Sequence, residues 1–361
     1  EVRLGTTIQG RSGSAAGEIA DALALPLKDT GLPGAISSVR GPGVYADETA
    51  VQALGVPLNS ALGGGLDWSI FPQYLWSDAQ VSTGLNPGSS DARGLGTSIA
   101  LTPWSESALR AGVPSVREQI GFEGEQAPVL AQGRAWASSL GAAQFSGAFV
   151  SERGAAGVAG FSLGRVRGPS LGISARLLKP RSDRSIEVTA HILATAVDTD
   201  GLVFSYAPHP VSNNVRLIPV VESRAQLGDS ARLLSSLYYD GASYRNWSNW
   251  TATGNPDFLI VTQQLGTQNW LLWGDNRVGL QARGTFVNSG TLSIPLEGEL
   301  RAVLARKIKW GWNREWSLDP VVQGTWVSGF TLLPEGSLRL GKRWGEVLQG
   351  SVGGETFTAV S

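Results

Sequence analysis

Cysteine and methionine are both absent from this 361-residue chain, and histidine occurs only at His191 and His209. Without cysteine there can be no disulfide, no thiolate metal site and no cysteine nucleophile. Charge is also scarce, at 16% of residues, below the usual quarter or so. Lysine plus arginine number 29 against 30 aspartate plus glutamate, a balance that argues against a dedicated nucleic-acid binder. No run of about 18 uninterrupted apolar residues occurs, so no membrane-spanning helix is expected. The nearest candidate, Val129–Val150, is broken by Gln132, Arg134 and Gln144. Such a chain can cross a membrane only as a closed barrel, because backbone groups in lipid must pair internally. The sequence starts at Glu1, which suggests a mature form with its signal peptide removed.

Glycine (47) and tryptophan (13) are abundant, and long alternating stretches are the dominant pattern. Between Thr291 and Leu304 the even positions carry Leu292, Ile294, Leu296, Gly298, Leu300, Ala302 and Leu304. The odd positions carry Thr291, Ser293, Pro295, Glu297, Glu299, Arg301 and Val303. Period two marks a strand with one apolar and one polar face. About thirteen residues at roughly 3.3 Å each reach about 43 Å, and a tilt of about 45° brings that to the ~30 Å of a hydrocarbon core. Arg277–Phe286, Ser185–Ala196 and Leu171–Leu177 repeat the pattern, as do Trp316, Leu318, Val322 and Trp326. The sequence therefore predicts an all-β, antiparallel transmembrane β-barrel of roughly 12–16 strands over residues 63–361, the count resting on the strand length a bilayer requires.

Residues 1–62 read differently, as a plug, a periplasmic extension, or a first strand with a long loop. Val2–Gln9 suits a strand and Gly17–Leu25 a short helix. Asp47 followed by Glu48–Leu54 and Gly55 reads as a second short helix, capped at both ends. Strand signals begin with Leu66, Trp68 and Ile70, and Leu75–Leu85 continues them. Trp104–Gly112 suits a turn or two of helix. Turns are expected at Pro180–Asp183, Asp198–Gly201, Ser212–Asn214, Gly254–Asp257, Gly274–Asn276 and Asn288–Gly290. Three prolines conflict with barrel strands: Pro219, Pro295 and Pro320 each remove a ladder bond, which only a bulge or a rim tolerates. Val303 stands on the polar face of its strand.

Arg176, Glu187, His191, Arg277, Gln281, Arg283, Glu297, Glu299, Arg301, Arg339 and Arg343 occupy polar faces and are the expected lumen-facing set. They would either set the field felt by a permeating solute or fill a narrow lumen with ion pairs. Trp68, Trp76, Trp247, Trp250, Trp270, Trp273, Trp310, Trp312, Trp316, Trp326 and Trp344 lie near expected strand ends. An indole has an apolar ring and one donor, and so favours a membrane interface; ordinary core or sugar-stacking tryptophans are the alternative. Asn246 and Asn249 begin two consecutive glycosylation sequons, around Trp247 and Trp250. A serine–histidine hydrolase would need a serine beside His191, and Ser185 lies too far along its strand. No metal-ligand spacing, phosphate loop or catalytic set emerges, so no cofactor and no enzymatic activity are expected.

With its repeated alternation, long strands, low charge, many tryptophans and missing cysteines, the chain resembles bacterial outer-membrane β-barrel proteins, porins in particular. The resemblance implies a barrel in the outer membrane of the cell envelope that passes small polar solutes or ions passively. Its partners would be the lipid bilayer and those solutes, with other envelope proteins or a homo-oligomer in addition, and no nucleic acid. Two rivals are a non-conducting barrel that scaffolds a surface assembly and a soluble secreted β protein that binds glycans.

Overall fold

In the computed structural model the described residues are 2–3, 20, 25–28, 38–40, 49–59, 65–66, 68, 76–83, 97–103, 116–123, 129–140, 143–153, 165–178, 186–200, 211–247, 258–289, 293–310, 316–328, 333–344 and 348–356. They form two main sheets. The smaller joins β1 (Val2–Arg3), β4 (Thr49–Ala53), β5 (Val56–Pro57), β6 (Trp76–Thr83) and β7 (Thr97–Pro103) in the order β1-β6-β7-β4-β5. A separate two-stranded piece pairs β2 (Leu27–Lys28) with β3 (Ser38–Val39).

The larger sheet has fourteen strands, within the expected range. It runs from β8 (Val116–Glu123) through β9 (Val129–Leu140), β10 (Ala143–Arg153), β11 (Arg165–Leu178) and β12 (Ile186–Asp200) to β13 (Val211–Leu227) and β14 (Ala231–Trp247). It continues with β15 (Phe258–Trp273), β16 (Asn276–Ser289), β17 (Ser293–Arg306), β18 (Ile308–Trp310), β19 (Trp316–Val327), β20 (Leu333–Trp344) and β21 (Leu348–Thr356). Neighbours are antiparallel throughout, the order following the chain, and β18 extends β17 against the same partner, β19. This is the fold of an antiparallel transmembrane β-barrel. β13 and β14 are 17 residues each, about 56 Å at roughly 3.3 Å per residue, enough to cross a bilayer at a steep tilt.

Burial separates the two faces of this wall. Leu217, Val221, Leu237, Leu265, Leu300, Leu304 and Val322 are exposed, Leu265 at 60% and Val322 at 61%. The residues between them are buried, among them Ile218 (3%), Val220 (1%), Arg301 (2%) and Gln323 (2%). Exposed leucine on one face and buried arginine and glutamine on the other is the reverse of a water-soluble sheet and suits lipid outside.

The prolines sit where the ladder breaks. Thr285 pairs with Glu297 but Val287 with Ile294, so Pro295 lies in a one-residue bulge. Pro219 pairs with Ile192 on one side, while on the other the β13–β14 pairing jumps from Leu217–Gly241 to Val220–Tyr238. Pro320 follows the end of the β17–β19 ladder at Ala305–Val321, before β18 resumes it at Ile308–Leu318. Each proline lacks a donor where none is required on that side.

Several local expectations give way. The smaller sheet takes in strands from Val2 to Pro103, and the strands of the wall begin at Val116. The capped helix expected after Asp47 is strand β4, which pairs in parallel with β7, Val51 opposite Ile99 and Ala53 opposite Leu101. All five of its residues are buried, and burial on both faces favours a strand over an amphipathic helix. Gly55 ends not a helix but a two-residue hairpin loop between Ala53 and Val56. Leu54 and Gly55 have φ of 52° and 75°, the paired positive values of a type I′ turn. Ser212–Asn214 is no turn but part of β13, where Asn213 Nδ2 donates to Asp198 Oδ1 at 2.7 Å across the ladder. Leu66 and Trp68 lie outside any strand. Of Gly17–Leu25, Ala20 is helical and its carbonyl accepts from the Leu25 N–H at 2.8 Å. Gln9 and Trp104–Gly112 lie outside the described residues.

Candidate functional site

The inner face of β12–β14 holds the small sheet. Val51, Ala53, Val56, Leu58, Leu66, Trp68, Ala79, Ile99 and Leu101 share one core with Leu193, Ile218, Val220 and Tyr238 of the wall. Those four are apolar at positions where strict alternation would place polar groups. Trp68, 1% exposed, is a centre of this core and not an interface ring.

Polar tethers frame the contact. Arg216 forms a two-point pair with Asp240, Nε to Oδ1 at 2.9 Å and Nη2 to Oδ2 at 2.6 Å. Its remaining Nη1 donates to the Leu58 carbonyl at 2.9 Å. The Asp240 side chain is 6% exposed, so the pair is desolvated and each member depends on the other. Gln268 Nε2 donates to the carbonyl of Gly55 at the hairpin tip. Within the small sheet, Asn59 accepts from the Val51 N–H at 2.6 Å and donates to the Thr49 carbonyl at 2.8 Å. The hairpin is thus held from its base by Asn59 and from the wall by Arg216 and Gln268.

Further round, the inner face is a polar mosaic. Arg283 bonds Glu299 across β16–β17, and Arg301 bonds Gln323 across β17–β19. Gln281 lies in register with Arg301 and is buried. Val303, which stood on the wrong face in sequence, packs with Ala305, Val321 and Trp270 as an apolar island within this mosaic. Trp270 can lie there because Gly279 faces it: a Cβ on Gly279 would collide with the ring. Trp270 is therefore an inner-face residue and not part of an outer girdle.

His191 belongs to a row across three strands. Ser174, directly opposite it in the β11–β12 ladder, bonds its Nδ1 at 2.8 Å. Glu222 Oε2 lies 3.3 Å from its Nε2, without hydrogen-bond geometry. A hydrolase triad uses Nδ1 for the carboxylate and Nε2 for the serine; here the nitrogens are exchanged. Only the strand register reveals Ser174 as the partner, 17 residues from His191.

Between the hairpin tip and the wall lies a chamber of about 480 Å³. Leu54 and Gly55 form one side, and residues of β12–β15, including Glu187, Glu222, Arg224, Arg232 and Trp270, form the other.

Of the remaining lumen candidates, Glu297 alternates with Gly298 on the same parity as Glu299, and Arg277 shares the parity of Gly279 and Gln281 but is exposed beside the 274–275 turn. In backbone register Arg176 stands opposite Thr189, Arg339 opposite Asp319 and Arg343 opposite Gln349. Among the tryptophans, Trp273 and Trp326 are exposed, at 37% and 45%, on the outer parity. Trp316 is half-buried at the start of β19. Trp247, Trp310 and Trp344 end β14, β18 and β20, and Trp76 begins β6 of the small sheet. Trp250 and Trp312 lie outside the described residues. Among the described residues no cluster of histidine, aspartate and glutamate could hold a metal ion.

No protein-family model and no curated protein matches the chain. Solved structures do. The ferric citrate transporter FecA in its unliganded form superposes with a TM-score of 0.62 at 11% identity, over 98% of this chain and 61% of that one. A variant of the ferric enterobactin receptor PfeA from Pseudomonas aeruginosa gives 0.65 at 11% identity, over 98% and 60%. The outer-membrane transporter YddB from Escherichia coli gives 0.58 at 12%, over 93% and 60%. The chain spans about three-fifths of the length of these structures. A likeness at such low identity speaks for the fold, and the exposed leucine face speaks for the solvent around it: the chain has the fold of the outer-membrane β-barrels it resembles, with a face suited to lipid.

Proposed function

We propose that the protein is a plugged outer-membrane transporter, in which the sheet built from residues 2–103 closes the lumen and yields when solute passes. The observation that carries this reading is the shared core. Leu193, Ile218, Val220 and Tyr238 are apolar on a face that would be wet in an open channel, and they are buried by the small sheet. An open porin has no use for such residues on its inner wall. The wall tethers give the closure a defined geometry, with Arg216 and Gln268 each holding one backbone carbonyl of the hairpin.

The solute class follows by likeness. FecA and PfeA are named for ferric citrate and ferric enterobactin, so a small polar metal chelate is the first solute to try. No enzymatic step enters this reading. The wall also suggests a direction. Its turns at 228–230 and 274–275 are short, and the connections at the opposite ends, 201–210 and 248–257, are long; short turns face the periplasm in such barrels.

Conductance in a planar bilayer tests the proposal. The intact protein is expected to conduct little, and Arg216→Ala combined with Gln268→Ala to raise conductance or make it flicker. Stepwise conductance of the unaltered protein would return the reading to a passive porin. Silence in both proteins would favour an anchoring barrel.

A further inference from the structure

We propose that the chamber under the hairpin tip is a binding site for a small aromatic carboxylate. Its volume, about 480 Å³, falls in the range of small-molecule sites, about 300–1,000 Å³. It lies at the short-turn end of the lumen, since its wall residues Arg224, Arg232 and Leu272 flank the 228–230 and 274–275 turns.

Its chemistry is one-sided. Leu234, Leu272 and Trp270 give it an apolar wall. Trp270 is fixed in place by Gly279 and by the island of Val303, Ala305 and Val321, so the indole is a preformed surface for a flat ring. The charges are not matched in strength. Of the two carboxylates in the lining, Glu187 stands opposite Arg224 in the β12–β13 ladder, and Glu222 lies 3.9 Å from Arg224 and 3.3 Å from His191 Nε2, the latter without a hydrogen bond. Arg232 donates its Nε to the neutral amide oxygen of Gln226 at 3.0 Å, and among the described residues no carboxylate pairs with it. One guanidinium is thus left to a ligand, and its planar fork suits a carboxylate. The lid is strained as well: Leu54 is the one described non-glycine residue with positive φ, at 52°, a conformation that persists only where surroundings impose it and that gathers at ligand clamps.

The site deepens the plugged-transporter reading by giving solute a resting place beyond the small sheet, yet binding itself does not depend on that reading. The probe is 4-fluorobenzoate, titrated into the full chain in lipid nanodiscs and followed by fluorine NMR, with 4-fluorobenzylamine as the charge-reversed control. Saturable binding of the carboxylate is expected, with none of the amine. Arg232→Gln is expected to weaken it by about tenfold or more, the loss of one charge-assisted hydrogen bond, and Arg232→Lys by less. Arg232 is exposed, so both variants keep the sheet, which circular dichroism verifies. Unsaturable binding, equal binding of the amine, or an unchanged affinity in Arg232→Gln overturns the proposal. If the probe binds as expected while the unaltered protein conducts openly, the site stands and the plug falls. If conductance is gated and the probe does not bind, the site falls alone.

Discussion

The inner face of the wall has two halves that follow different rules. Along β12–β14 it is apolar at Leu193, Ile218, Val220 and Tyr238, and a second sheet covers it. Along β16–β19 it carries Gln281, Arg283, Glu299, Arg301 and Gln323, with Arg283 bonded to Glu299 and Arg301 to Gln323 across strands. Arg301 and Gln323 are as buried as Ile218 and Tyr238, so burial alone does not choose the residue type. What covers the face does. Another protein sheet offers carbon and asks for carbon; buried charges on the other half are met by partners across the strands.

The comparison can be broken most severely at Asp240. Asp240→Ala leaves Arg216 desolvated and unpaired beneath Leu58, at a cost of about 3–5 kcal/mol. Denaturant unfolding in vesicles should show it, and limited proteolysis should cut the N-terminal sheet at lower denaturant than the wall. If both regions lose protection together, the pair braces the barrel rather than the docking surface. On the opposite side of the same wall, Leu265→Arg puts a charge towards lipid, where about 2–4 kcal/mol is expected near the midplane. The same assay in a detergent micelle, which lets water in, should shrink that loss; an undiminished one would place Leu265 against protein.

A smaller effect separates the small sheet from the wall. Asn59→Ala removes two buried bonds to β4, worth about 1–3 kcal/mol, and should speed hydrogen exchange in Thr49–Ala53 while leaving β13 and β14 unchanged. Smallest is the pair Ile218→Val and Leu217→Val. The first trims the docked core, by about 0.5–1.5 kcal/mol. The second trims a lipid-facing residue and should register as nearly neutral in the same titration.

What could be read in the sequence divides along these lines. Outer-face leucines such as Leu300 and Leu304 alternate with polar neighbours and betray the strand. The docked strand β13 reads Val215 to Val221 as almost continuously apolar, because both its faces meet carbon, and its one polar cluster, Asn213–Asn214, imitates a turn. β4 imitates a helix because local signals, Asp47 before it and Gly55 after it, outvote a parallel partner 48 residues away. Val303 and Trp270 looked misplaced for a related reason: each completes an apolar island whose other members lie on different strands. Ser174 was invisible as the partner of His191 until the β11–β12 register was known. The lumen-side charges were legible by parity; their pairings were not, since those depend on register between strands.

The hairpin tethers carry a consequence for how the molecule comes together. Arg216 reaches Leu58 across 158 residues of sequence, and Gln268 reaches Gly55 across 213. Contacts of such long range are slow to form. The carbonyls of the hairpin find their donors only after β13, β14 and β15 have been laid side by side. The hairpin is synthesised before β13–β15 yet seated after them, and until then Val51, Val56 and Leu58 need a chaperone or a nascent barrel to shield them.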